Sequence, residues 1–334
     1  MPFAENKQSV IKIGRYIMNI SEEEKQKFAA GGASNAPSDC MNVETENAET
    51  ENVETENADG LVISPRCPKE YLKTRDGFDY GTFEHVTYYS KTCKMERGFS
   101  ILFPPSYRAS AEKTYPVLYL LHGIFGDEFS FSNDENNRIK EILGNMSADG
   151  IIEDTILVCP NMYATDDPEQ KPAFDNEACI PYDNFINELI NDLMPYVEAN
   201  YPVKKGRENT YLAGFSMGGR ETTFITLKAS RLFGYACAIS SAPGLVPTED
   251  KFMKHEGQIT KDEMRFADAI EPIVFMLCCG TQDSVVGSFP KMYHEILNEN
   301  GVKHIWYEIP GVDHNNDAVQ SGLYNLLKAV GTKK

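Results

Sequence analysis

No stretch of this chain stays apolar for long. Nowhere in its 334 residues does a hydrophobic run approach the about eighteen residues that cross a bilayer, so no membrane partner is expected. The N-terminal region lacks a signal-peptide core for the same reason. Its most apolar piece, 10–20, is interrupted by Lys12, Gly14, Arg15 and Asn19. Taken literally, this places the protein in the cytoplasm, although a trimmed or misassigned start would leave secretion open. Cations are scarce too. Lys and Arg number 32 against 50 Asp and Glu, for a net charge of −18. Phosphate backbones are bound by clustered Lys and Arg, so the charge balance argues against a nucleic-acid partner. Finally, the eight cysteines contain no C-x-x-C pair, and no zinc site or other metal is expected. Cys159, Cys237, Cys278 and Cys279 lie in apolar runs and read as small buried hydrophobes. Cys67–Cys93 is the disulfide to look for, with no spacing signal behind it.

What is present is an ordinary globular composition, 41% hydrophobic and 25% charged, behind an unusual front. Residues 1–60 form an N-terminal appendage. Ser21-Glu22-Glu23-Glu24 has the form of a capping box and predicts a short helix to Ala30. A pentapeptide is then repeated three times from Val43 to Asn57, each copy ending Glu-Thr-Glu-Asn. A period of five fits neither a helix face nor a solenoid, and the tract is too polar to bury, so it reads as an acidic, disordered linker. From residue 61 the texture changes. Short β-rich or apolar runs at 83–90, 98–103, 115–121, 155–159, 210–213, 235–239, 273–279 and 305–309 alternate with helical stretches at 134–148, 183–200, 218–230, 288–300 and 317–330. The first two strands have no helix between them and would pair at an edge. The rest predict one α/β domain over 61–334, with a mostly parallel central sheet and helices on both faces. Residues 244–272 make a longer connection with a charged, partly helical section at 260–269, a length that often shapes a pocket.

The chemistry gathers around Gly214-Phe215-Ser216-Met217-Gly218, which follows a strand and opens a helix. In that context G-x-S-x-G is a nucleophile elbow: a sharp turn exposes Ser216 Oγ and sets the Met217 N–H at a helix N-terminus. A serine needs a base, and His314 lies on the loop after the last strand, at the carboxyl edge where parallel sheets bind ligands. An acid should orient that base. Asp283, just past the run 273–279, occupies a matching strand end, and Asp313 is the runner-up. The order Ser216, Asp283, His314 is that of an α/β-hydrolase. Gly123 and Gly126 let the loop after 115–121 turn its N–H groups inward, which makes Ile124 N–H the second oxyanion donor beside Met217 N–H. Phe125, next in that loop, either borders an aromatic acyl pocket or packs against apolar neighbours.

With these residues in place the chain resembles the feruloyl esterases of carbohydrate esterase family one, close to the esterase-D group of the α/β-hydrolases. The resemblance runs from about residue 80 to 330. It rests on the run from Tyr115 to Gly123, the stretch from Asp183 to Ile190, Gly214 to Arg220, Cys279 to Ser284, and the closing Gly311-Val312-Asp313-His314. It implies a serine esterase that releases ferulate or related hydroxycinnamates from plant cell-wall arabinoxylan or its oligosaccharides, without a cofactor. Ser216 would be nucleophile, Asp283 acid, His314 base, and Ile124 and Met217 oxyanion donors. The same machinery in an acetylxylan esterase or an S-formylglutathione hydrolase is the nearest alternative. A non-catalytic carbohydrate-binding protein on the same fold is the remote one.

Overall fold

Eight segments of β-rich sequence pair into one sheet. The computed structural model describes residues 11–13, 16–18, 54–56, 60–107, 112–268 and 270–333. In chain order the strands are β1 (Phe83–Ser90), β2 (Met95–Leu102), β3 (Val117–Leu121), β4 (Ile156–Pro160), β5 (Thr210–Phe215), β6 (Tyr235–Ile239), β7 (Val274–Gly280) and β8 (Ile305–Ile309). Across the sheet they run β1-β2-β4-β3-β5-β6-β7-β8. β1 and β2 form an antiparallel hairpin, β2 meets β4 antiparallel, and every other pairing is parallel. β3 is the switch point, because the chain leaves it for β4 on one side and returns to β5 on the other. In open parallel sheets ligands bind at such a switch point, outside the carboxyl ends of the strands.

Side-chain alternation explains why the central strands are apolar throughout. Val117, Tyr119 and Leu121 face one core, and Leu118 and Leu120 face the other, all five buried. Helices cover both faces. α1 (Ile139–Ala148) and α6 (Asn316–Lys333) close the face of Leu118. α2 (Asn176–Glu188), α3 (Met194–Asn200), α4 (Met217–Lys228) and α5 (Phe289–Glu299) close the face of Tyr119.

Three differences from the sequence-based expectation have local causes. The helix expected from 183 begins at Asn176, because Asp175 caps it by accepting from Ala178 N at 2.7 Å. Pro181 lies inside that helix, and the Glu177 carbonyl its missing N–H would have bonded accepts from Gln170 Nε2 at 3.4 Å. A π-helical turn, Leu189–Leu193, then joins α2 to α3. Secondly, the described part of 260–269 is turns, not helix. Asn300 Nδ2 takes the Lys261 and Met264 carbonyls, at 2.7 and 3.1 Å, that helical N–H groups would have used. Thirdly, the last pentapeptide is not wholly linker. Thr55–Glu56 pairs antiparallel with Val62–Ile63, and Glu54 accepts from Lys328 Nζ of α6 at 2.6 Å. The packed unit therefore reaches back to residue 54. The helix expected at 21–30 and the first two repeats lie outside the described residues. Cys67 and Cys93 are free, buried thiols, so the disulfide considered from sequence is not formed. Among the described residues no helix is long and apolar enough to cross a membrane.

Candidate active site

Ser216 sits in the turn between β5 and α4 at φ 60°, ψ −116°, a conformation that costs a non-glycine residue about 1–3 kcal/mol. The surroundings hold it there. Ser216 N–H donates to the Ile239 carbonyl at 3.0 Å, while its own carbonyl accepts from Ala242 N at 2.9 Å and Arg220 N at 3.0 Å. The flanking glycines are steric necessities. A Cβ on Gly214 would stand 2.2 Å from the Gly218 carbonyl oxygen, and one on Gly218 would stand 2.3 Å from that of Leu121. Met217 opens α4, so its N–H has no intrahelical acceptor.

On one side of the serine lies a carboxylate–imidazole pair. His314 Nδ1 and Asp283 Oδ2 are 2.9 Å apart, with the carboxylate side chain 1% exposed. Asp283 Oδ1 accepts from Val285 N at 3.1 Å and Val286 N at 3.0 Å. Burial alone would raise this carboxyl's pKa. Hydrogen bonds and charge from His314, with the Val286 N–H, outweigh burial and hold it below the ordinary value. The His314 ring lies on Phe215, the residue before the serine, with centroids 4.4 Å apart. Among the described residues no hydrogen bond joins Ser216 Oγ to His314, a contact that commonly tightens only with substrate bound. Asp313 is otherwise engaged. Its Oδ1 accepts from Ser284 N, Ser284 Oγ and His314 N at 2.8, 2.9 and 2.8 Å, which fixes the loop that carries the histidine.

On the other side is the loop after β3. Gly123 approaches the serine so closely that a Cβ on it would stand 3.4 Å from Ser216 Cβ. Gly126 N–H donates to the Gly123 carbonyl at 3.1 Å, and Phe125 N–H donates to Tyr182 Oη at 3.2 Å. For the Ile124 N–H, just before Phe125, no hydrogen bond is found among the described residues. His122 braces this loop from beneath. Its Nε2 accepts from Met162 N at 2.9 Å, so the proton must sit on Nδ1, which donates to the Gly123 carbonyl at 2.7 Å. Burial pushes its pKa down to about 4, and the imidazole is neutral.

Phe125, also at positive φ, packs edge-on against Phe174, whose ring stacks on Phe252 at 4.6 Å and 9°. The aromatic cluster thus draws on three loops, and the apolar-packing alternative for Phe125 is what these contacts show. Phe174 and Phe252 escape a reading by strand ends, since neither follows a strand directly; their signal was length of connection alone. Tyr182 and His122 were missed as supports because their partners lie 57 and 40 residues away. Among the described residues no group of three or more His, Cys, Asp or Glu could hold a metal ion.

A carboxylate-backed imidazole and a strained serine, beside the Ile124 and Met217 N–H groups, for which no hydrogen bond is found among the described residues, can carry out acyl transfer. The sequence family described as "Putative esterase" matches residues 90–295. Among solved structures, a CE1 ferulic acid esterase from Anaeromyces mucronatus, in complex with ferulic acid, is 44% identical with a TM-score of 0.76. The match covers 81% of this chain and 99% of that one. An S-formylglutathione hydrolase from Agrobacterium tumefaciens shares the fold at 18% identity and a TM-score of 0.58, over 78% of this chain and 97% of that one. The endo-1,4-beta-xylanase/feruloyl esterase of Xylanibacter ruminicola is 29% identical over 174 residues, 51% of this chain and 23% of that protein. The match thus spans only about a quarter of that longer relative.

Proposed function

The chain belongs to the esterase family, and on that premise we propose that Ser216, Asp283 and His314 work as nucleophile, acid and base in the release of ferulate or a related hydroxycinnamate from an esterified plant cell-wall saccharide. The protein is a carboxylic ester hydrolase of α/β-hydrolase fold. In the proposed cycle Ser216 Oγ attacks the ester carbonyl while its proton passes to His314 Nε2. Asp283 steadies the imidazolium across the 2.9 Å bond to Nδ1. The oxyanion is received by the N–H groups of Ile124 and Met217. His314 returns the proton to the departing sugar oxygen, then takes one from the water that attacks the acyl-enzyme and gives it to Ser216 Oγ as the ferulate leaves. The protons are all handled by one imidazole, so the scheme uses no metal or organic cofactor.

The observation that carries this reading is the pair of buried Asp283 and half-buried His314, the imidazole lying on Phe215 beside the strained serine. The choice of acyl group is supported by the 44% identity to a ferulic acid esterase, while the S-formylglutathione hydrolases share only the fold. Turnover of methyl ferulate, feruloylated arabinoxylan oligosaccharide, acetylated xylan and S-formylglutathione tests it. The expected outcome is turnover of the two ferulate esters by the wild type and not by Ser216→Ala. Faster turnover of the acetyl or thioester compound would overturn the assignment.

A further inference from the structure

Of the cysteines that the sequence places in apolar runs, Cys159, Cys237 and Cys278 do end in the hydrophobic core. Cys279 does not. It is the last residue but one of β7, so its side chain leaves the strand on the face opposite Cys278. It is buried, yet among the described residues it belongs to neither apolar cluster. Its neighbours are polar. Asp283 N–H donates to the Gly280 carbonyl at 3.2 Å, a turn that folds the chain back and brings the carboxylate over the thiol. Cys279 Sγ donates to Asp283 Oδ2 at 3.7 Å, and this is the same oxygen that faces His314 Nδ1 at 2.9 Å. The Ser240 hydroxyl stands behind the thiol, donating to Cys279 Sγ at 3.9 Å. Burial and the charge of Asp283 raise the thiol's pKa, so at neutral pH the sulfur keeps the proton it donates.

We propose that Cys279 is a positioning residue for the acid of the site, its S–H holding Asp283 Oδ2 toward His314; the assignment rests on the reading of Ser216, Asp283 and His314 as nucleophile, acid and base. Asp283 Oδ1 is held by the Val285 and Val286 N–H groups at 3.1 and 3.0 Å. Two bonds to one oxygen still let the carboxylate pivot about it. A donor on the other oxygen stops the pivot, and the imidazole cannot be that anchor, because its own orientation depends on the carboxylate. Sulfur suits the task. A thiol is a weak donor, so it steadies Oδ2 without drawing it away from the imidazole. An apolar residue there would leave one side of a buried anion without a donor. The brace begins at the end of β6. The Ile239 carbonyl accepts from Ser216 N–H at 3.0 Å, and the next residue, Ser240, is fully buried at φ 47° with its hydroxyl on the thiol. One strand end thus supports the backbone of the nucleophile and, through Ser240 and Cys279, the acid.

Substitutions that separate the donor from its volume provide the test. Cys279→Val fills the space without a donor, Cys279→Ala removes the donor without crowding, and Cys279→Ser keeps a donor on a smaller side chain. Each is assayed in the full chain on methyl ferulate, beside Asp283→Asn. Both apolar variants should lower kcat about fivefold at unchanged KM, because the thiol acts through Asp283 and not on the substrate. Cys279→Ser should stay within about twofold of the wild type. Proton NMR reads the Asp283–His314 bond itself. The low-field His314 Nδ1–H resonance should be sharp in the wild type and Cys279→Ser, and broadened by exchange with water in the apolar variants. Wild-type kcat in either apolar variant overturns the proposal. So does Cys279→Ser as slow as Cys279→Ala, or a slow apolar variant whose resonance is unchanged, since either would make the thiol a matter of packing. If Asp283→Asn keeps the wild-type kcat, the acid assignment fails and the role of Cys279 with it. If Asp283→Asn is slow while the apolar variants match the wild type, only the role of Cys279 is lost.

Discussion

Two histidines follow the ends of parallel strands on opposite sides of Ser216, and they are held in opposite ways. His122, after β3, has both ring nitrogens bound to backbone, one accepting from Met162 N and one donating to the Gly123 carbonyl. It is buried, neutral and rigid. His314, after β8, has Nδ1 on a carboxylate and no hydrogen bond at Nε2 among the described residues. The residue type and the place in the topology are the same. What faces each nitrogen decides that one ring is a strut and the other is able to carry a proton. The two sides of the site are thus built differently: the proposed oxyanion side is braced by hydrogen bonds to backbone and the proposed acid–base side by a charge.

The largest effect should come from removing the ring with the free nitrogen. His314→Ala should lower kcat for methyl ferulate by at least about 10⁴, with Tm within a few degrees of wild type, and Ser216→Ala should do the same. His122→Ala should instead lower Tm substantially. If it matched the kcat loss of His314→Ala at an unchanged Tm, the two roles would have to be exchanged.

Next in size is the charge behind His314. Asp283→Asn keeps the shape and replaces the acceptor by an amide that can force the wrong tautomer, so kcat should fall by about 10³–10⁴. Stopped-flow measurement of acyl-enzyme formation would locate the loss. A fall of less than tenfold would mean that Asp283 merely packs the loop.

The strut has its own signature in pH. His122 is held neutral with a folded pKa of about 4, below the ordinary 6.5. Between those values the unfolded chain binds the extra proton and the folded one does not, so stability rises with pH there. The contribution is complete above pH 6.5 and lost as pH falls, reaching roughly 3 kcal/mol by pH 4. Urea unfolding of wild type and His122→Gln across that window should show the wild type losing more stability by about that amount. Parallel curves would contradict the neutral strut.

Some of this was readable from the amino acids and some was not, and range is the difference. The elbow is written within five residues, because the turn itself demands glycine two before and two after Ser216. The strand ends that carry Asp283 and His314 could be counted from apolar runs, since a parallel sheet buries both faces of its strands. Helix α2 starts seven residues before the expected 183, where Asp175 caps it, and Gln170, outside the helix, takes the carbonyl that Pro181 leaves without a helical donor. The segment 260–269 has helical composition, but Asn300, from beyond α5, takes its carbonyls. Likewise the state of His122 is set by Met162, and Arg220 is placed by Asp183, contacts across 40 and 37 residues that no local pattern announces.

The smallest expected effect lies at such a long-range contact. Tyr182 Oη receives the N–H of Phe125, the residue after Ile124, and Phe125 is held at φ 63°. Tyr182→Phe leaves that N–H without an acceptor and relaxes the restraint on a backbone conformation that a phenylalanine disfavours. If Ile124 N–H receives the oxyanion, the loosened loop should weaken a bond that forms only in the transition state. Then kcat should fall about fivefold, equivalent to about 1 kcal/mol, while KM for methyl ferulate stays put. Tm should drop by only a few degrees. A rise in KM at constant kcat would instead mean that Tyr182 supports the aromatic wall of Phe125 and Phe174. The oxyanion side would then be rigid through His122 alone.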